Sequence, residues 1–242
     1  MRLLPALAAS LLVATSVACS LATTVPDGFT AACEGSALRL AEGLRPEAEV
    51  DFIGFRVEST TLAAAGTGAP AQDPATPSVP SGPAPVALWS ARFTDDVRGV
   101  PCARAADRAL CEKRVADLRL MASQCDGFAV VPKVRAPNAR DIGACSLSYL
   151  VYTRGDEVGA VSTAEAARAL LGAIDTPQEA MFLARLGGES FVCSGDAPAA
   201  YSALADGFEL VASAPAPDGS CQRRFVTVSK AGVVRFSRLE AC

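Results

Sequence analysis

"YLVYTRGDEVGAVSTAEAARALLGAIDTPQEA" (residues 149–180) decides the fold class of this 242-residue chain. Its first half reads as two strands turning at Arg154-Gly155-Asp156, where Gly155 supplies the permissive backbone of a tight hairpin. Two helix starts follow. Ser162-Thr163-Ala164-Glu165 and Thr176-Pro177-Gln178-Glu179 both fit the capping box, in which a hydroxyl caps the first turn and a glutamate reaches back to its amide. Pro177 stands at the first helical position, where a missing N–H costs nothing. Gly172 and Gly187-Gly188 are placed to end the two helices.

Downstream, "SFVC" (residues 190–193), "AYSALADGFELVAS" (residues 200–213) and "RRFVTVSKAGVVRFSRL" (residues 223–239) read as strands. Asp206-Gly207 and Lys230-Ala231-Gly232 supply their turns, and strands joined by short turns make an antiparallel sheet. Upstream, "GSALRLAEGLRP" (residues 35–46) is helix-like, and "EVDFIGFRVEST" (residues 49–60) alternates apolar and polar side chains from Asp51 to Glu58, as a half-buried strand does. "VALWSARF" (residues 86–93) and "GFAVVPKV" (residues 127–134) read as further strands. "PCARAADRALCEKRVADLRLMA" (residues 101–122) reads as a helix with Cys111, Val115, Leu118 and Ala122 on one face. Together these predict an α+β fold of antiparallel sheet with a few packed helices.

Residues 63–87 hold six prolines and one charge, a composition that builds a semi-extended linker or a long surface loop rather than a core. The expected organisation is therefore a signal segment over residues 1–18, a small N-terminal part over residues 19–62, the Pro/Ala-rich stretch, and a main unit over residues 88–242. The main unit is divisible into halves at residues 88–172 and 173–242. The small part is too short for its own core and is expected to dock on the rest.

Residues 3–18 carry no charge and follow Met1-Arg2, the pattern of a secretory signal, and the run falls short of the roughly 20 residues that span a bilayer. Three cleavage readings compete. Cleavage before Cys19 with acylation of its thiol uses Ser16-Val17-Ala18-Cys19 as a lipobox, although Ser16 stands where an aliphatic residue is usual. Cleavage after Ala22 discards Cys19, and cleavage after Ala18 without acylation leaves it a free thiol.

Nine cysteines bear on the choice. Removing Cys19 by acylation or by cleavage leaves eight, namely Cys33, Cys102, Cys111, Cys125, Cys145, Cys193, Cys221 and Cys242, an even set suited to disulfides in an oxidising compartment. Parity thus disfavours the free thiol and leaves the lipid anchor, preferred, beside soluble secretion. It also bears on architecture. Five framework cysteines precede Gly172 and three follow it, so full pairing requires at least one disulfide between the halves. Cys193 with Cys221 is the expected internal pair, and Cys242 the expected crossing partner.

The absence of histidine removes Ser-His-Asp and Cys-His catalysis as well as His-ligated metals. No Ser-x-x-Lys or Cys-x-x-Cys occurs, so no catalytic, cofactor-binding or metal residues are assigned. Asp95-Asp96 and Asp156-Glu157 are sequence neighbours, which point apart on a strand, and read as solvated loop charges rather than a facing pair of acids. Arg154-Gly155-Asp156 spells an integrin-binding tripeptide, but a hairpin tip calls for such residues anyway. Without residues 1–18 the chain carries 21 basic and 26 acidic side chains, which gives no reason to bind nucleic acid. The basic doublet Arg223-Arg224 reads as a solvated strand end.

From Cys102 and Cys111 onward the chain resembles a group of secreted proteins and lipoproteins of high-GC, myxobacteria-like bacteria that have no assigned activity. The likeness covers roughly residues 99–242. It rests on Cys145 ahead of Tyr149-Leu150-Val151, on Thr153-Arg154-Gly155-Asp156-Glu157-Val158 and Asp175-Thr176-Pro177-x-Glu179-Ala180, and on Cys193, "GFELVAS", Cys221 and "RRFVTV". It implies an exported location and a coherent fold, and no chemistry. The expected function is a non-catalytic cell-envelope protein that binds an envelope or extracellular protein partner, or serves structurally. It would be held at the outer membrane only through a lipid on Cys19, or be soluble in the periplasm or outside the cell if Cys19 is removed. A His-free hydrolase with converging carboxylates and a small inhibitor-like binding module are the alternatives.

Overall fold

The computed structural model describes residues 25–63, 86–120, 144–215 and 221–241. They form two antiparallel sheets with helices between and outside them, the α+β architecture expected. The four-stranded sheet has the order β3-β2-β4-β5, from β2 (Phe52–Ala63), β3 (Val86–Gly99), β4 (Ala144–Arg154) and β5 (Glu157–Val161). The five-stranded sheet has the order β1-β6-β7-β8-β9. Its strands are β1 (Thr30–Ala31), β6 (Ala200–Leu204), β7 (Gly207–Pro215), β8 (Cys221–Ser229) and β9 (Val234–Ala241).

Helices α2 (Ala164–Leu171) and α3 (Pro177–Leu186) connect the sheets, and α1 (Arg108–Asp117) lies on the outer face of the four-stranded one. Residues 179–184 of α3 are all buried. A helix hidden on every side belongs between two layers. Phe182 meets Phe55 of β2 edge to face at 5.4 Å, while Leu210, Val226 and Val228 of the other sheet share the same core.

The N-terminal part does more than dock. Thr30 pairs with Tyr201 at one edge of the five-stranded sheet, and β2 lies in the interior of the other, between β3 and β4. Ala63 pairs with Val86, so residues 64–85 join two neighbouring strands of one sheet and do not separate two bodies. Along β2 the expected alternation fails, because Phe52, Ile53, Gly54, Phe55 and Arg56 are all buried. One face looks into the core and the other is roofed by α1 and its disulfide loop, so polar residues on that face are covered too.

The two predicted caps differ. Thr176 caps α3 as a full capping box with Glu179. The start of α2 lies one residue later than the box requires: Thr163 is the cap and accepts from the Ala166 amide, which leaves Glu165 one place short of a box partner. The helix read over residues 35–46 reduces to one 3-10 turn, Ala41–Gly43. Asp96 accepts from the amides of Leu40 and Ala41, both at 2.9 Å, and fixes that turn. Gly43 lies so close to α3 that a Cβ there would fall 2.4 Å from the Gln178 side chain.

Helix α1 is shorter than read. Asp107 caps it by accepting from the Leu110 amide, and Leu118 leaves it in an extended conformation, so of the expected stripe Cys111 and Val115 are the buried helical members. "SFVC" makes an isolated bridge, Ser190 with Ser213, instead of a strand. The expected strand over residues 127–134, and Ala122, lie outside the described residues.

Two disulfides join described cysteines, Cys33–Cys193 and Cys102–Cys111, and Cys221 is disulfide-bonded as well. The first corrects the expected Cys193–Cys221 pair. Pairing of β1 with β6, together with the Ala32 amide donating to Ala199, brings Cys33 to Cys193 across the break at Gly172. Cys19, Cys125 and Cys242 lie outside the described residues, as does the side chain of Cys145. No helix among the described residues is long and apolar enough to cross a membrane.

Candidate functional site

The acids that the sequence singled out, and two buried ones besides, are located by what they hold. Asp96 is not a solvated loop charge, since both its oxygens are spent on the 3-10 turn. Asp95 offers its main-chain carbonyl to Arg39 at 2.8 Å. At the β4–β5 hairpin Glu157 pairs with Arg154 at 2.6 Å and accepts from the Tyr152 hydroxyl, while Asp156 accepts from the Asp107 amide. Gly155 takes a positive φ of 56° there, as the turn reading requires. Arg154 and Asp156 are thus both engaged within the fold.

Glu179 is fully buried. It accepts from three main-chain amides, those of Arg45 at 2.6 Å, Asp175 at 2.8 Å and Thr176 at 3.1 Å. One carboxylate therefore organises the start of α3 and the loop packed on it.

A second buried cluster was missed by sequence reasoning. On the outer face of β2, Arg56 donates to the Val115 carbonyl at 2.6 Å and reaches the Ala116 carbonyl at 3.5 Å. A cation at the last turn of α1 opposes the negative end of the helix dipole. Glu58, two residues on and fully buried, accepts from the Tyr149 hydroxyl and from the Leu120 amide at 3.3 Å. Burial, then the bond to the Glu58 carboxylate, pushes the Tyr149 phenol well above its ordinary range. These groups fasten α1 to the sheet. Their signal was present in the sequence: the Cys111 and Val115 stripe needed a surface, and the supposedly exposed face of β2 was the one within reach.

The surface that offers itself outward is the β8–β9 edge. Strand β9 is the last of its sheet and is exposed over residues 235–241. Phe236 and Leu239 remain 52% and 49% exposed there. Arg224, opposite Leu239, shares their face of the sheet, and Arg238, opposite Phe225, projects from the other. Arg224 lies 4.8 Å from the Phe236 ring and pairs with Glu189, while Arg238 lies 3.6 Å over Phe225 and pairs with Glu209 and Glu240. The reading of Arg223-Arg224 as a solvated strand end is therefore corrected: both sit within β8, opposite Ser213 and Ala212.

Between Phe225 and Val226 the register shifts, so β9 carries a bulge. Bulges and charges are common means of blunting an edge. Two large apolar side chains on the edge strand are not among those means, and they leave an apolar strip exposed there.

Among the described residues no group of three or more histidine, cysteine, aspartate or glutamate side chains is arranged to hold a metal ion. The fold and surface thus define an α+β protein with two antiparallel sheets, an enclosed helix and an edge strand with an exposed apolar strip. The chain matches no protein-family model, no curated protein and no solved structure.

Proposed function

We propose that this is an exported, non-catalytic protein of the cell envelope, carried on a lipid at Cys19, that binds a protein partner along β9. The single observation that carries the binding reading is the pair Phe236 and Leu239, exposed on the edge strand of the five-stranded sheet. The partner is an extended segment with acidic and apolar side chains. Main-chain pairing to β9 gives it affinity, and Arg235, exposed on β9 and without a carboxylate partner among the described residues, gives it a charge preference, whereas Arg224 and Arg238 are already paired with glutamates. Export is supported by the signal-like residues 1–18 and by the disulfides, which persist in oxidising compartments.

A photo-crosslinking residue at Phe236 in envelopes tests the surface, with Leu110 on α1, also exposed, as the control position. The expected result is a discrete adduct from position 236 and not from 110, mapping to an extended acidic segment of another protein. Equal labelling at both positions overturns the proposal, and so does an adduct composed of two copies of this chain. The anchor has its own test. The mature protein should partition into detergent with the added mass of acyl chains, and an unlipidated N-terminus at Thr23 refutes it.

A further inference from the structure

Arg45 and Arg98 converge on one carbonyl oxygen at the β3 edge of the four-stranded sheet. Arg98 Nη1 donates to the Leu44 carbonyl at 2.6 Å and Arg45 Nη1 to the same oxygen at 3.1 Å. Arg98 pairs with Ile53 across β2 and β3, so it stands on the inward face. Its stem covers core while its head group emerges where the 3-10 turn meets the sheet edge. Arg45 follows that turn, held there by the bond from its amide to Glu179.

Two guanidiniums gathered at one oxygen repel each other; solvent around the exposed Arg45 and the Leu44 carbonyl dipole screen part of that repulsion, and an anion between them would relieve more of it. The nearby acids do not serve. Asp96 is occupied by the Leu40 and Ala41 amides, Glu179 by three others, and Glu42 meets Arg45 through its main-chain carbonyl. Among the described residues neither arginine has a carboxylate within ion-pair distance, although the chain as a whole is acidic. Each also keeps its Nε and Nη2 without an acceptor among the described residues; Arg45 is exposed and Arg98 half-buried. The proximity is felt electrostatically: burial first, then the charge of Arg45, lowers the affinity of Arg98 for its proton.

We propose that Arg45 and Arg98 form a binding site for a phosphate group, which accepts from the outward nitrogens of both and neutralises the pair. Guanidinium forks match phosphate and carboxylate oxygens in geometry, and two cations at one point favour a doubly charged group over a single carboxylate. The same chemistry is carried by a soluble phosphate ester and by a lipid head group at the membrane surface. The site is independent of β9, which belongs to the other sheet.

The test uses the full chain. Inorganic phosphate is titrated against chloride at equal ionic strength, following the guanidinium NMR signals of Arg45 and Arg98 and the melting temperature. Saturable shifts confined to those two residues, with a rise in melting temperature, are expected. Arg45→Gln should weaken binding by about tenfold or more, while Arg92→Gln, an exposed arginine on the same strand, should leave it unchanged.

Arg98→Gln also removes a bond to Leu44, so Arg98→Lys is measured beside it; retained charge without the fork should keep the fold and lose most of the affinity. Vesicles of phosphatidylcholine with and without phosphatidic acid then separate the sources. Arginine-dependent capture only by phosphatidic acid identifies a lipid head group, and binding of inorganic phosphate without capture identifies a soluble ester. Absence of saturable binding to both probes, or equal weakening by Arg92→Gln, overturns the proposal.

Discussion

Glu58 and Tyr149 meet on the outer face of β2 and β4 with almost no solvent between them and α1. The folded state raises the affinity of the Tyr149 phenol for its proton, chiefly through burial and then through Glu58. The protonated form is therefore the one the fold favours. Its contribution is complete below the ordinary tyrosine value near pH 10 and is lost as the pH climbs toward the folded value. Wild type should lose stability steeply above about pH 10, and Tyr149→Phe should lose less over the same interval, as urea denaturation at a series of pH values will show. Parallel pH curves for the two proteins would refute the assignment. Asp51 behaves oppositely. Burial pushes its carboxyl up, but bonds from Arg104 and the Gly155 amide outweigh that and hold it below the ordinary range. Its contribution is present above about pH 4 and fades as the pH falls through the folded value. Asp51→Asn should be less stable than wild type by about 2 kcal/mol at pH 7, with the gap closing toward pH 2; a gap independent of pH would count against the charge.

Among the elements, α3 was the most legible and the 3-10 turn the least. Thr176, Pro177, Glu179 and Gly187 encode α3 within twelve neighbouring residues, because a cap is a local arrangement of donors and acceptors. The turn at Ala41–Gly43 depends on Asp96 and Gln178, distant in sequence, so a helix-like apolar pattern was all that could be read there. The same distinction explains α2, where the box spacing makes Ser162 the expected cap and the geometry makes it Thr163. Glu179 links the two cases, since it caps α3 locally and reaches Arg45 from afar. Replacing it with alanine leaves three amides without their acceptor. Glu179→Ala should cost about 3 kcal/mol or more, well above the ~1 kcal/mol of an ordinary cap. A loss no larger than that of Thr176→Ala, measured by chemical denaturation, would show that the bond to Arg45 contributes nothing. The β9 strip was only half legible. Its strand character and arginines were in the pattern, whereas its place at the edge follows from sheet order, which the sequence does not state.

At the scale of the molecule, residues 25–63 lace the two sheets together, giving β1 to one and an interior strand to the other. Cysteine parity anticipated a covalent tie across Gly172. It did not identify Cys33, because its approach to Cys193 depends on a two-residue strand with no pattern to read. The tie closes a sequence separation of 160 residues, against 9 for Cys102–Cys111. If disulfides act by restricting the unfolded chain, the loop lengths predict about 5 kcal/mol for the first and about 2.5 kcal/mol for the second. Replacing Cys33 and Cys193 together by serine should therefore cost about twice as much as replacing Cys102 and Cys111. The shared core around Phe182 makes a further demand. Without the bridge, both sheets should still unfold in one transition, because α3 buries its surface against each of them. The NMR signals of the Tyr149 ring, buried on β4, report the four-stranded sheet, and those of the Phe225 ring, buried on β8, report the other. Coincident urea curves by the two signals are expected in the Cys33→Ser, Cys193→Ser protein, with the midpoint lowered. Separate transitions would mean that the disulfide, rather than the core around α3, is what makes the two sheets one cooperative unit.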